Sequence, residues 1–253
     1  MDVIIYDGSF PGLLTAIFEV YEYKFQQPHI CKADAAPTSM FGKTHEVIFD
    51  AAKAERVRKK LQQKLTPKSF HRMYKTSLSE IRGIENVILR YVQYVVAAKE
   101  TVENNFSHPD VLMIQQTSKK VDREKHRMDA FIRFELTKDN LYYAIVQPDF
   151  NVLPLIITHF KNRYADQRWL IYDVRRKYGI YYDLDTVTEV LMSFNEEVAH
   201  TPGAKDYWDD EEILYQTLWQ QYFKSVNIAA RKNTKLHIQH MPKRYWKYLT
   251  EKH

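Results

Sequence analysis

The 253-residue sequence has a single cysteine, Cys31, and only six glycines. One cysteine cannot form an internal disulfide, and without neighbouring histidine or cysteine residues it has no metal-ligand spacing, so we expect no metal site. Charged residues interrupt every apolar run well before the roughly 20 residues that a membrane-spanning helix needs. The first residues also lack the basic and apolar regions of a secretion signal. These absences predict a soluble, cytoplasmic protein that contacts no membrane.

Acidic residues are missing from Ile213 to Thr250, a stretch that holds seven basic residues. These are Lys224, Arg231, Lys232, Lys235, Lys243, Arg244 and Lys247. Residues 1–212 hold slightly more acidic than basic side chains, so the formal net charge of +5 comes from the C-terminal end. A segregated basic surface attracts polyanions and releases counterions from nucleic acid. The charge distribution therefore predicts nucleic acid as the leading partner.

Aromatic residues are interleaved with the last of these cations. Tyr245, Trp246 and Tyr248 lie among Lys243, Arg244 and Lys247. Cations hold phosphates, while aromatic rings stack on bases with about 1–3 kcal/mol per base. We therefore predict that the following residues bind nucleic acid: Arg231, Lys232, Lys235, Lys243, Arg244, Tyr245, Trp246 and Lys247. The alternative is an ordinary C-terminal helix whose aromatic side chains pack on the core while its cations face water.

A second, less extensive basic surface is predicted upstream. Arg133 alternates with apolar neighbours on a predicted strand, and Arg163 and Arg168 flank a predicted turn between a helix and a strand. Guanidinium groups offer fork-shaped donors that suit phosphates. Asp166 supports another interpretation, because it is close enough in sequence to form an internal ion pair with Arg163 or Arg168.

Three residues of the central sequence have the spacing of candidate catalytic groups. Asp122, His126 and Asp129 are separated by four and three residues, so a continuous helix would place them on one face. A carboxylate beside histidine raises the basicity of the imidazole, which suits proton transfer, and His159 is a second histidine that the fold would have to bring near. The neighbouring basic residues favour the alternative of a salt-bridged surface helix.

The apolar patterning predicts an α+β fold. It consists of an antiparallel sheet of two hairpins with flanking helices, a mostly helical N-terminal part and a helical basic C-terminus. Asp7-Gly8-Ser9 lacks the residues of a phosphate-binding loop, and Ser9 is interpreted as a helix cap. The predicted helices are 13–23, 51–65, 84–102, 154–164 and one that follows the acidic residues 209–212 to about 226. The predicted strands are 3–6, 130–136, 141–147, 169–174, 178–184 and 187–194, and residues 31–44 are predicted to form a loop.

Four motifs together resemble one bacterial family. They are YDGSFPGLLTAIFEVYE, KKVDREKHRMDAFIRF, HFKNRYADQRW and MPKRYWKYL, in this order along the chain. The family is that of probable DNA metabolism proteins built around domain of unknown function 4130. The resemblance implies a family-specific part over residues 1–80 and the named domain over 81–253. It also implies a radical S-adenosylmethionine (SAM) protein of DNA modification or repair as a partner, since members are typically encoded beside one.

These observations lead to three functional hypotheses. The first is a DNA-binding protein that assists DNA repair or modification together with the radical SAM partner. The second is an enzyme that acts on a damaged or modified base through His126, Asp122, Asp129 and His159. The third is a docking adaptor whose basic tail binds an acidic protein surface without contacting nucleic acid. The sequence contains no evident cofactor motif.

Overall fold

The computed structural model describes residues 2–35, 43–137, 140–191 and 241–249. The chain divides into two compact units, Met1–Asp122 and Arg123–His253. The helices are α1 (Phe10–Glu22), α2 (Ala51–Lys64), α3 (Pro67–Ser77), α4 (Ile84–Ala97), α5 (Pro109–Phe131) and α6 (Leu153–Arg163). The strands are β1 (Asp2–Tyr6), β2 (Pro28–Lys32), β3 (Thr44–Glu46), β4 (Glu135–Leu136), β5 (Tyr142–Val146), β6 (Trp169–Asp173), β7 (Tyr178–Tyr182) and β8 (Val187–Leu191). The predicted α+β class is confirmed.

The first unit contains a parallel three-stranded sheet of order β2-β1-β3. The sequence predicted only β1, and the loop predicted over 31–44 is wrong at both ends, where β2 and β3 lie. Only Ile30 and Cys31 of β2 are buried, and β3 has three residues with none buried, so neither strand has a recognisable apolar pattern. These two strands form because they pair with the central strand β1.

Helices α1 and α4 contact this sheet, α2 packs against both helices, and all three contribute to the core of the first unit. Ser9 caps α1 as predicted, because its side-chain oxygen accepts a hydrogen bond from the Gly12 amide at 2.9 Å. The prediction that the core helix runs to residue 102 is wrong, since α4 ends at Ala97. Ala98 is extended, and its carbonyl accepts a hydrogen bond from Lys64 at 2.8 Å. Helix α3 was not predicted.

The second unit contains a five-stranded sheet of order β4-β5-β6-β7-β8. Both predicted hairpins are present as the antiparallel pairs β4–β5 and β6–β7, and β8 pairs with β7. The sheet is nevertheless mixed rather than antiparallel, because α6 returns the chain so that β5 and β6 pair in parallel. The strand predicted from residue 130 is also wrong at its start, since α5 continues to Phe131.

A set of aromatic rings fills the core between α6 and this sheet. Trp169 is fully buried, and its ring centroid lies 6.2 Å from that of Phe160 and 5.4 Å from that of Tyr182.

Some predicted segments lie outside the described residues. They are residues 192–194 of the predicted strand, the helix predicted to follow Asp209–Glu212 and most of the connecting residues 138–140. Within the part that is described, no helix has the length and apolar character needed to cross a membrane.

We predict that Gly12→Ala destabilises the first unit. A Cβ at this position would lie 2.0 Å from Asp7 Oδ1, which is held by hydrogen bonds from the Ser9 amide and hydroxyl at 2.9 and 2.8 Å. Crowding of this kind costs about 1–3 kcal/mol and outweighs the gain of about 1 kcal/mol that alanine brings to a helix. Urea unfolding of Gly12→Ala should show the loss.

The control is the same substitution in an Asp7→Ala background. With the obstructing carboxylate removed, Gly12→Ala should be neutral or stabilising. An equal loss in both backgrounds would show that contact with Asp7 is not its cause.

Candidate nucleic-acid interface

The described end of the basic tail is a 3-10 segment, Lys243–Tyr248, that lies against β5. Tyr245 and Leu249, four residues apart, are 2% and 0% exposed and fix the segment to the second unit. Lys243, Arg244 and Lys247 remain exposed. Tyr245 therefore serves as an anchor in this arrangement, and its ring is covered by protein rather than open to a base. Trp246 is half-buried, with its indole N–H donating to the Met241 carbonyl at 3.0 Å.

The hydroxyl of Tyr245 binds the buried carboxylate of Glu124, whose side chain is 1% exposed. Glu124 Oε1 accepts hydrogen bonds from the Tyr245 hydroxyl and, at 2.7 Å, from the Asp149 amide. Arg127 and Arg244 approach Oε2 at 3.3 and 3.4 Å. Donors therefore reach both oxygens, as a buried charge requires. Burial, reinforced by the hydrogen bond to Glu124, raises the pKa of Tyr245 above its ordinary value.

Sequence reasoning missed Glu124, although a signal for it existed. Val121, Glu124 and Met128 follow the three-four spacing of the buried face of α5, and each is at most 2% exposed. A carboxylate on the apolar stripe of a helix predicts a buried partner. The sequence does not identify that partner, because Tyr245 is 121 positions away.

Arg244 is partly neutralised by carboxylates from elsewhere in the second unit. Its Nη2 lies 2.6 Å from Asp149 Oδ2, and the side chain is 40% exposed. A phosphate that binds Arg244 must therefore compete with Asp149 or bridge to the donors that face solvent. The other predicted cations of the tail, Arg231, Lys232 and Lys235, lie outside the described residues.

Four cations converge on the loop Gln147–Asp149, which follows the carboxyl end of β5. Besides Arg244, Arg175 donates to the Asp149 carbonyl at 3.0 Å, Arg176 to the Pro148 carbonyl at 3.2 Å, and Lys247 to Gln147 Oε1 at 2.8 Å. We call Arg175, Arg176, Arg244 and Lys247 the carboxyl-end cluster. Arg175 and Arg176 belong to the β6–β7 turn, and of the two only Arg175 is exposed.

Arg176 forms the internal support of this cluster. Its side chain is 8% exposed and lies 2.7 Å from the fully buried Asp173. Burial raises the pKa of Asp173, and the hydrogen bond from Arg176 opposes that shift. Arg176 therefore holds the turn in place, and Arg175 projects beside it.

The second predicted surface does not join the carboxyl-end cluster as one site. Arg168 immediately precedes β6 and Arg163 ends α6, whereas the loop Gln147–Asp149 follows β5. Because β5 and β6 are parallel and five residues long, the two ends are separated by about 16 Å at 3.3 Å per residue. Arg163 contacts its neighbour Tyr164, with 5.6 Å between guanidinium and ring centroid. Arg133 donates to the Ala130 carbonyl at 2.8 Å.

Two of the four candidate catalytic residues form ion pairs with lysines. Asp122 lies 2.6 Å from Lys75, and Asp129 lies 2.6 Å from Lys125, while His126 is exposed. His159 is half-buried on α6, packs edge-on against Phe160 and, among the described residues, its Nε2 has no hydrogen-bond partner. The described ranges also contain no group of three or more His, Cys, Asp or Glu side chains placed to hold a metal ion. The ion pairs of Asp122 and Asp129 match the alternative of a salt-bridged surface helix.

We predict that Tyr245→Phe loosens the 3-10 segment. It removes a donor from a buried carboxylate, which costs about 1–3 kcal/mol. Hydrogen exchange measured by mass spectrometry should show faster exchange over residues 241–249. Folding raises the pKa of Tyr245. The stabilisation by its hydrogen bond to Glu124 is therefore fully present below the ordinary tyrosine pKa of about 10, and it is lost as the pH rises through the raised pKa of the folded state. The difference in exchange rate over residues 241–249 between wild type and Tyr245→Phe should therefore become smaller above about pH 10.

Tyr248→Phe is the matched control, since it removes a hydroxyl from the same segment that contacts Gln147 rather than Glu124. A smaller effect than that of Tyr245→Phe is expected. Equal effects would show that Glu124 is not the main anchor.

The family described as "Domain of unknown function (DUF4130)" matches residues 82–251. No curated protein and no solved structure matches the chain. The matched residues make up two thirds of the sequence and include the whole candidate interface, so the chain belongs to the DUF4130 family.

Proposed function

We propose that the protein binds DNA through the carboxyl-end cluster and assists DNA repair or modification together with a radical SAM partner. The observation that carries the proposal is the convergence of Arg175, Arg176, Arg244 and Lys247 on the loop Gln147–Asp149. The role in repair or modification and the radical SAM partner rest on the family resemblance of the sequence motifs.

The charge balance of the described residues around this loop favours an anionic ligand. Five basic side chains lie there with three carboxylates. They are Arg127, Arg175, Arg176, Arg244 and Lys247, with Glu124, Asp149 and Asp173. The excess positive charge lies on the exposed side, because Glu124 and Asp173 are buried. On the exposed side, cations outnumber carboxylates, because Asp149 is the exposed one of these three carboxylates.

The exposed members are suited to phosphate contacts. Arg175 uses one guanidinium nitrogen on the Asp149 carbonyl, and arginine has five N–H donors in all. Lys243 is exposed and lies 5.9 Å from the centre of the Trp246 ring. We propose that Arg175, Lys243, Arg244 and Lys247 hold phosphates and that Trp246 is the stacking group. Tyr245 takes the role of an anchor for these residues.

The two alternative functions have less structural support. Acid–base catalysis by His126 needs a carboxylate that is available to the imidazole, and Asp122 and Asp129 bond to Lys75 and Lys125 instead. A protein-docking adaptor would use the same cations but would recognise carboxylates rather than phosphates. Co-purification with the radical SAM partner that survives nuclease treatment, in a protein that does not bind DNA, would favour the adaptor.

The test is DNA binding measured by fluorescence anisotropy with a labelled 20-base-pair duplex and the corresponding single strand. The logarithm of the duplex affinity should fall linearly with the logarithm of the salt concentration, with a slope of about 0.9 per phosphate contact. The double reversal Lys243→Glu/Lys247→Glu should weaken binding at least about tenfold and reduce the slope by about 2.

The control Lys119→Glu/Lys120→Glu makes the same change in net charge at exposed positions of α5 in the first unit. It should leave affinity and slope nearly unchanged. Equal weakening by both variants would show that only the overall charge matters. Absence of measurable binding to either DNA form at low salt would contradict the proposal.

A further inference from the structure

A groove with an apolar floor and a basic rim lies on the first unit, between α1, α2 and α4. Its volume is about 480 Å³. Each helix contributes apolar side chains four positions apart, Ile17 and Tyr21 on α1, Val57 and Leu61 on α2, and Val92 and Val96 on α4. Residues four apart lie on one helix face, so the groove is bordered by three helix faces that leave room for another element.

The charged residues that line the groove are all basic. Arg56, Lys59 and Lys60 are exposed along α2, and no carboxylate is among the lining residues. Lys59 is 3.8 Å from Glu55 with 70% of its side chain exposed, and among the described residues Lys60 pairs with no carboxylate. The Arg56 guanidinium lies 4.8 Å from the centre of the Phe18 ring, at the edge of the apolar floor.

The acidic residues near the groove are engaged by other cations. Lys53 binds Glu19 at 2.8 Å and Glu22 at 2.7 Å, and Arg58 binds Glu55 at 2.6 Å. The positive charge of the rim is therefore not fully balanced by neighbouring carboxylates of the protein. A ligand that fits must bury apolar side chains on the floor and present carboxylates to α2.

We infer that this groove binds an acidic amphipathic helix of a partner protein. A helix with apolar residues at three- and four-residue spacing would pack on the floor as a fourth helix, while glutamate or aspartate residues on its flank would reach Arg56 and Lys60. This inference is independent of the proposed DNA binding, which is assigned to residues of the second unit.

The test uses three fluorescein-labelled synthetic peptides of 18 residues. The first is a capped helix with leucine and tryptophan on one face and glutamate on its flanks, the second has every glutamate replaced by glutamine, and the third has the composition of the first in scrambled order. Anisotropy should show that the protein binds the first peptide at least tenfold more tightly than the other two.

Two variants locate the binding. Arg56→Glu/Lys60→Glu should weaken binding of the acidic peptide at least tenfold, whereas Lys68→Glu/Lys119→Glu, at exposed positions outside the groove, should leave it unchanged. Val96→Gln should weaken binding of the acidic peptide, because it places a polar side chain on the apolar floor. Tyr21→Ala, at a position 48% exposed, provides the same test without a buried substitution.

Equal binding of the scrambled peptide, or no loss in Arg56→Glu/Lys60→Glu, would overturn the inference. If this variant binds the peptide as wild type does but loses affinity for the labelled duplex or for phosphatidylserine vesicles, the inference is overturned in favour of a rim that serves a nucleic acid or a lipid surface.

Discussion

The candidate interface depends on one buried carboxylate. Glu124 lies on the apolar face of α5, where an ionised side chain is tolerated only if donors reach both oxygens. The Tyr245 hydroxyl, the Asp149 amide and two arginines provide them. This single group therefore joins α5, the loop after β5 and the C-terminal segment. Loss of one partner leaves a buried charge incompletely bonded, so the three elements are maintained together.

That constraint also determines how the basic residues are presented. With Tyr245 and Leu249 buried, Lys243, Arg244 and Lys247 stay exposed. Lys247 and Arg244 meet the loop that Arg175 and Arg176 reach from the β6–β7 turn. Cations that are distant in sequence thus share one surface. Asp149 moderates the charge of Arg244, which favours ligands able to compete for a guanidinium, as phosphates do.

Much of the fold follows from the sequence, and the failures have physical causes. The capping of α1 by Ser9, both hairpins of the second unit and the buried face of α4 follow from local pattern. The strands β2 and β3 do not, because they depend on pairing with β1. The parallel pairing of β5 with β6 depends on the path of α6, which no local signal gives. Within the interface, the cations of the tail were predicted, and packing of its aromatic side chains on the core was the stated alternative, which Tyr245 follows. The partners Glu124 and Asp149 depend on contacts between distant residues.

The most direct measurement of the central claim is hydrogen exchange with and without a saturating short DNA duplex. If the segment held on Glu124 completes a phosphate-binding surface, DNA should protect amides over residues 145–151, 171–178 and 241–249 together. Protection confined to other regions, with these three unchanged at saturation, would contradict it.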